Sequence, residues 1–230
     1  MKHLITYQVK LDDGVERRYE VDINRPARMQ EQNGEEHPQW TRLEQHQCNN
    51  CPLPAKTFLY CPAAIELEEI AAHFSDATSV DRVDVWVHSA ERSYFKNCDI
   101  QTMLQSLYGL IMASSACPIL SRLKPLSRYH LPFSTVEETV QRIVGTYLVQ
   151  HYLQPDTDHG EIDRGLNAIH ELYKELNVVN RALMQRIRQA SRDDANVNAI
   201  HIFVSLTRIL EMSVSDIISK MIPVPSKGTS

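Results

Sequence analysis

Residues 82–113 read RVDVWVHSAERSYFKNCDIQTMLQSLYGLIMA, and a change of period inside this stretch decides the fold class. Val83, Val85 and Val87 alternate with Asp84, Trp86 and His88, the two-residue period of a half-buried strand. A second short strand over 93–96 completes a hairpin. After Asp99, a suitable N-cap, the period lengthens. Met103, Leu104, Leu107, Leu110 and Ile111 recur at three- and four-residue steps, so residues 100–116 are expected to be helical.

Upstream, residues 3–11 and 15–23 alternate apolar and polar positions around Asp12-Asp13-Gly14, a strong hairpin signal. Residues 24–39 are polar, carry Pro26, Gly34 and Pro38, and read as a loop. The segment 40–47 fits a strand or a short helix. Residues 48–62 are a loop punctuated by cysteine and proline, and Pro62 suits the first turn of a helix reaching Phe74. Downstream, Pro118, Pro125 and Pro132 interrupt the chain. Ser134-Thr135-Val136-Glu137 reads as a capping box. The clearest helix is 161–190, with Ile162, Leu166, Ile169, Tyr173, Leu176, Val179, Leu183 and Ile187 on one stripe. Asp193 or Asp194 starts another that reaches Glu211, and a short last turn follows at 215–221 before Pro223 and Pro225. The sum is an α+β protein: N-terminal β-hairpins with a cysteine-bearing loop, packed on a C-terminal four-helix bundle. The β-rich part is 1–100 and the helical part 101–230, expected to form one compact unit.

Composition narrows the classes. The 230 residues are 43% hydrophobic and 23% charged, ordinary for a globular protein, and the seven glycines are few for a loop-rich all-β fold. Net charge is −5, with 11 Lys and Arg against 17 Asp and Glu in residues 1–100, and 13 against 12 in the rest. Neither part has the cationic excess that neutralising phosphates requires, which argues against nucleic acid as a partner. The N-terminus lacks the apolar run of a signal peptide, and no stretch approaches the roughly 20 apolar residues of a membrane span. The chain is therefore expected in the cytoplasm, with its five cysteines reduced.

Those cysteines carry the most informative pattern. Cys48-Asn49-Asn50-Cys51 presents two thiols from one turn, and Cys61 follows after nine intervening residues. Such a knuckle and a third thiol can close on one metal ion. Zinc asks for four ligands, and Cys117 is the first candidate for the fourth, with His46 and Cys98 as alternatives. Proline follows Cys51, Cys61 and Cys117, as it follows cluster ligands in bacterial ferredoxins, so an iron–sulfur cluster on Cys48, Cys51, Cys61 and Cys117 competes with zinc. A thiol-redox pair at Cys48 and Cys51, or reduced cysteines holding no metal, are the remaining readings.

A weaker pattern is the basic link 121–130. Arg122, Lys124, Arg128 and His130 precede a helix N-terminus, where an anion or an acidic partner could sit, although solvated loop charges give the same pattern. Arg181, Arg188 and Arg192 share a helix face that reads as solvated surface. His151, His170 and His201 fall on separate helices without the Glu-x-x-His pairs of a di-metal bundle. No Gly-rich phosphate loop, Gly-x-Ser-x-Gly, His-Glu-x-x-His or dinucleotide fingerprint occurs, so catalysis has no sequence signature here.

Taken together, Cys48-Asn-Asn-Cys51-Pro-Leu, Tyr60-Cys61-Pro62, Cys117-Pro118, His130-Leu131-Pro132-Phe133 and Asn196-Val197-Asn198-Ala199 resemble a family of bacterial proteins of unassigned function. The likeness runs from about Trp40 onward. It implies a bacterial, cytosolic origin and brings no activity or ligand set. The residues point to a non-enzymatic binding or regulatory protein with a cysteine-ligated structural zinc. Surfaces around Trp40 and the helices would meet a protein partner or a second copy.

Overall fold

The computed structural model describes residues 3–25, 36–153 and 166–221, with side chains to Glu211. Strands β1 (Leu4–Leu11) and β2 (Glu16–Asp22) form the first expected hairpin. Its turn closes through the Gly14 N–H to the Leu11 carbonyl at 3.0 Å, with Gly14 at φ 85°. That left-handed conformation carries little penalty only without a Cβ. Strands β3 (Arg82–His88) and β4 (Ser93–Asp99) form the second. β4 runs past the expected 96 because Cys98 stays paired with Val83, and the Asn97 amide donates to Asp84 at 2.8 Å.

The two hairpins join edge to edge into one antiparallel sheet of order β2-β1-β3-β4. One face buries Ile5, Tyr7, Val9, Tyr19, Val21, Val83, Val85, Val87 and Cys98. The other carries Gln8, Arg18 and the cross-strand pair Trp86 and Phe95, with ring centroids 5.0 Å apart.

Helix α1 (Pro62–His73) takes Cys61 as N-cap and Pro62 in its first turn. Helix α2 (Ile100–Ala113) starts at Asp99, whose carboxylate accepts the Thr102 N–H at 2.9 Å. Two tyrosines fasten the sheet to these helices. Tyr7 Oη lies 2.7 Å from Ser106 Oγ on α2, and Tyr19 Oη lies 3.0 Å from His73 Nδ1 on α1. The chain continues through a short α3 (Lys124–Arg128), then α4 (Val136–Tyr152), α5 (Asn167–Ala190) and α6 (Ala195–Met221). The stripe from Leu166 to Ile187 on α5 is buried as expected; residues 161–165, the loop 26–35 and the prolines after 221 lie outside the described residues.

Three expectations need correction. The capping box is one residue later: Thr135 accepts the Glu138 N–H at 3.2 Å, and Glu138 accepts the Thr135 N–H at 2.8 Å. Both pairs have the right spacing, but Thr135 is the extended residue from which the helix starts, so Glu138 is the acid three residues after the cap. Residues 215–221 are not a separate turn but the end of α6, which contains no Pro or Gly to break it. Trp40 is no partner-facing surface; it is buried within a 3-10 turn at Gln39–Thr41. Helix α2 packs on β3 and β4 and also on α6, so sheet and helices meet through it.

One apolar core runs from the sheet through Met103, Leu104 and Leu107 to Ile200 and Leu210. At its centre Asn196 is fully buried. It accepts from Tyr108 Oη at 2.6 Å and donates to the carbonyls of Ala71 and Phe74, each at 3.0 Å. Just before it, Asp194 accepts from the Ser79 N–H at 2.7 Å and its hydroxyl at 2.9 Å, bonds that hold its carboxyl below the usual range. Asp194 also accepts from the Asn198 amide in the first turn of α6 at 2.9 Å.

Candidate metal centre

Three separate segments supply thiols to one place. The first is the knuckle, where the Cys51 N–H donates to the Cys48 carbonyl at 2.9 Å and closes a tight turn. Gln47 braces this loop through its amide to the Leu53 carbonyl at 2.8 Å, and the Asn50 amide ties it to the Glu175 carbonyl on α5 at 3.1 Å. The second is Cys61, delivered by the clip that Arg42 and Tyr60 form, in which the Cys61 N–H donates to the Thr41 carbonyl at 2.8 Å. The third is Cys117, which leaves α2 after the turn at Ser114 and Ser115.

Cys48, Cys51, Cys61 and Cys117 all line one cavity of about 20 Å³. Pro52, Pro62 and Pro118 stand beside the thiols, and Val179 and Leu183 of α5 close the wall. All four cysteines carry free thiols. Burial, and then the neighbouring cysteines, push the Cys48 thiol up to about 12, while Arg186 pulls the other way. Burial pushes Cys117 up to about 11, with hydrogen bonds from Leu120 and Ile119 opposing. A cation between the sulfurs would reverse the sign of that crowding, because metal-bound thiols are thiolates. As placed, however, no group of three or more His, Cys, Asp and Glu side chains among the described residues is arranged to hold a metal ion.

Arg186 lines the same cavity and is the least expected feature of it. Its side chain is 1% exposed. Nη1 donates to the Trp40 carbonyl at 2.9 Å and to that of Arg42, and Nη2 donates to the Leu43 carbonyl at 2.9 Å. Buried Nε has no partner, and among the described residues no carboxylate pairs with this guanidinium. Carbonyl dipoles offset part of the cost of burying a charge, but an ion without a counter-ion still costs several kcal/mol. The sequence did carry the signal. Position 186 continues the 179–183 step of the buried stripe, where an arginine is out of place, while Arg181 and Arg188 sit on the exposed face.

The other candidates do not converge. His46 is exposed, with Nε2 2.9 Å from the Gln189 amide nitrogen. Cys98 is buried in β4, and the groups that act on its thiol besides burial are Lys96, Asp99, Arg82 and Asp84. In the basic link, Arg122 pairs with Glu175 at 2.8 Å, and Lys124 and Arg128 are exposed. His130 turns inward, with Nε2 2.5 Å from Tyr7 Oη, and desolvation followed by the charge of Arg142 pushes its imidazole down to about 3. His170 Nδ1 donates to the Glu211 carbonyl at 2.9 Å, and Arg192 lies 3.3 Å from Asp76.

No described helix is long and apolar enough to cross a membrane. Comparison with curated proteins gives no match, and neither does comparison with solved structures. A domain family of unknown function, DUF6901, matches residues 5–224. With nearly the whole length matched, cysteine knuckle, sheet and helices together, the chain belongs to the DUF6901 family.

Proposed function

We propose that Cys48, Cys51, Cys61 and Cys117 hold a structural zinc ion in a non-enzymatic binding or regulatory protein of the bacterial cytosol, which acts through a protein partner or a second copy. The observation that carries this is the meeting of four thiols from three segments at one cavity that also contains an unpaired buried guanidinium. A divalent ion bound by four thiolates is a dianion, the counter-charge Arg186 otherwise lacks. A cavity of about 20 Å³ suits a single small body, since one water needs roughly 10–15 Å³ on the same measure. Four protein ligands close the coordination sphere, so zinc here would cross-link the knuckle, the start of α1 and the chain after α2, and would supply no open position for a substrate.

The second reading, an iron–sulfur cluster on the same cysteines, is favoured by the prolines after Cys51, Cys61 and Cys117. It requires the loop walls to part around a larger body. Purification of the native protein without added metal separates the readings. Colourless protein with stoichiometric zinc supports the first, brown protein with visible absorbance the second, and metal-free folded protein refutes both. Cys61→Ser, which alters the thiol at the helix cap, is expected to lose the metal and lower the melting temperature.

A further inference from the structure

A second cavity, of about 350 Å³, lies among α2, α3, α4, α5 and α6, on the other side of the 119–123 segment from the cysteines. Its size falls within the roughly 300–1,000 Å³ of small-molecule sites. Leu110, Leu126, Ile143, Leu176, Phe203 and Leu206 make its walls apolar. Polar residues such as Ser106, His130, Thr139 and Thr207 also line it, and four others bear directly on a ligand.

Arg142 on α4 and Lys96 are the charged lining residues, and no Asp or Glu is among the described ones. Lys96 Nζ lies 5.5 Å from the Phe133 ring centroid. Arg142 is held in place by Nη2, which donates to the carbonyls of Leu126 at 2.8 Å and Tyr129 at 3.0 Å. Glu138, one turn earlier, spends its carboxylate on the capping box. Desolvation makes the Arg142 guanidinium easier to deprotonate than usual, with Tyr173, Tyr94 and Glu138 acting the other way. Beside it is Tyr173 of α5, whose phenol feels the Arg142 charge.

Two helical turns further along α5 is Asn180, 3% exposed, its amide donating to the Phe203 carbonyl at 3.4 Å and its Oδ1 without a partner. Seven residues of helix separate Tyr173 from Asn180 by about 10 Å. A buried acceptor left empty at that depth costs about 1–3 kcal/mol unless a donor reaches it.

We propose that this cavity binds a medium-chain aliphatic carboxylate, its carboxylate on Arg142 and Tyr173 and its chain along the leucines toward Asn180. A hydroxyl near the far end of the chain answers the empty Asn180 Oδ1. The ligand class is thus an aliphatic acid, with ω-hydroxylated acids the better fit. The site is separate from the cysteine centre and does not depend on what that centre holds.

Calorimetric titration of the whole protein with decanoate, ω-hydroxydecanoate and decanol tests this. Decanoate should bind about tenfold more tightly than decanol, one charge-assisted hydrogen bond's worth, and ω-hydroxydecanoate more tightly still. Arg142→Gln should erase the preference for decanoate over decanol, and Asn180→Leu should erase the advantage of the ω-hydroxyl while leaving decanoate binding intact. Arg142→Lys, which keeps the charge, should retain the acid preference and serves if the glutamine variant does not fold. Ala113→Phe, which fills the cavity, should abolish all three. No binding of decanoate by the wild-type protein, equal affinity for acid and alcohol, or undiminished binding in the filled variant overturns the proposal.

Discussion

Arg186→Met keeps a long apolar stem in the cavity wall and removes only the guanidinium. Two effects then oppose each other in the metal-free protein. The carbonyls of Trp40, Arg42 and Leu43 lose their donor, at about 1.5–3 kcal/mol for each charge-assisted bond. A buried, unpaired charge also disappears, which returns several kcal/mol. The net loss without metal should therefore be small, about 1–2 kcal/mol. With a zinc–thiolate dianion in the cavity, the same change breaks a buried ion pair, and the loss should rise to about 3–5 kcal/mol. The difference, about 2–3 kcal/mol, is the coupling between Arg186 and the metal, and by linkage it weakens zinc binding by roughly 30- to 150-fold. Urea unfolding of wild type and variant, each stripped by a chelator and each reloaded with zinc, gives the four corners of the cycle. Equal losses with and without zinc would show that Arg186 serves the 40–43 loop alone, and would remove the strongest electrostatic support for the centre.

Asn196→Ala should cost about 2–4 kcal/mol in the same unfolding assay, because it strands Tyr108 Oη and two helix-end carbonyls in the core. Tyr108→Phe, which leaves the two carbonyl bonds intact, should cost less than half of that. Gly14→Ala forces a Cβ into φ 85° and should destabilise by about 1 kcal/mol, a fall of roughly 2–4 °C in melting temperature. His130 is held neutral by the fold, with its folded value near 3 against the ordinary 6.5, so the unfolded chain takes up the proton first. Stability should therefore fall as pH drops below about 6.5 and keep falling toward 3, by at most about 2 kcal/mol at pH 5. His130→Gln should flatten that slope, and an unchanged acid limb in the variant would assign it to other groups.

Local pattern carried the elements, and long-range pairing was beyond it. The Asp-Asp-Gly turn, the valine alternation of β3 and the Asp99 cap each depend on neighbours within four residues, so they are legible in the chain itself. That β1 would pair with β3 across 70 intervening residues has no local sign, since either hairpin could present either edge. The cysteine set illustrates the same limit from the other side. Residue chemistry proposed Cys117 as companion to Cys48, Cys51 and Cys61, and the fold brings it to their cavity. Arg186 was hidden because charged residues at helical spacing are read as solvated face, and only its register on the buried stripe marked it out. The larger cavity could not be read at all, since its polar groups come from a strand and several helices and meet only after packing.

The centre itself is tested most directly by X-ray absorption on the protein purified without added metal. A zinc edge with four sulfur neighbours at about 2.3 Å is the predicted result. An iron edge with iron–iron scattering would transfer the site to the cluster reading. Nitrogen or oxygen neighbours in place of sulfur, or no metal in stoichiometric amount, would contradict a centre built on Cys48, Cys51, Cys61 and Cys117.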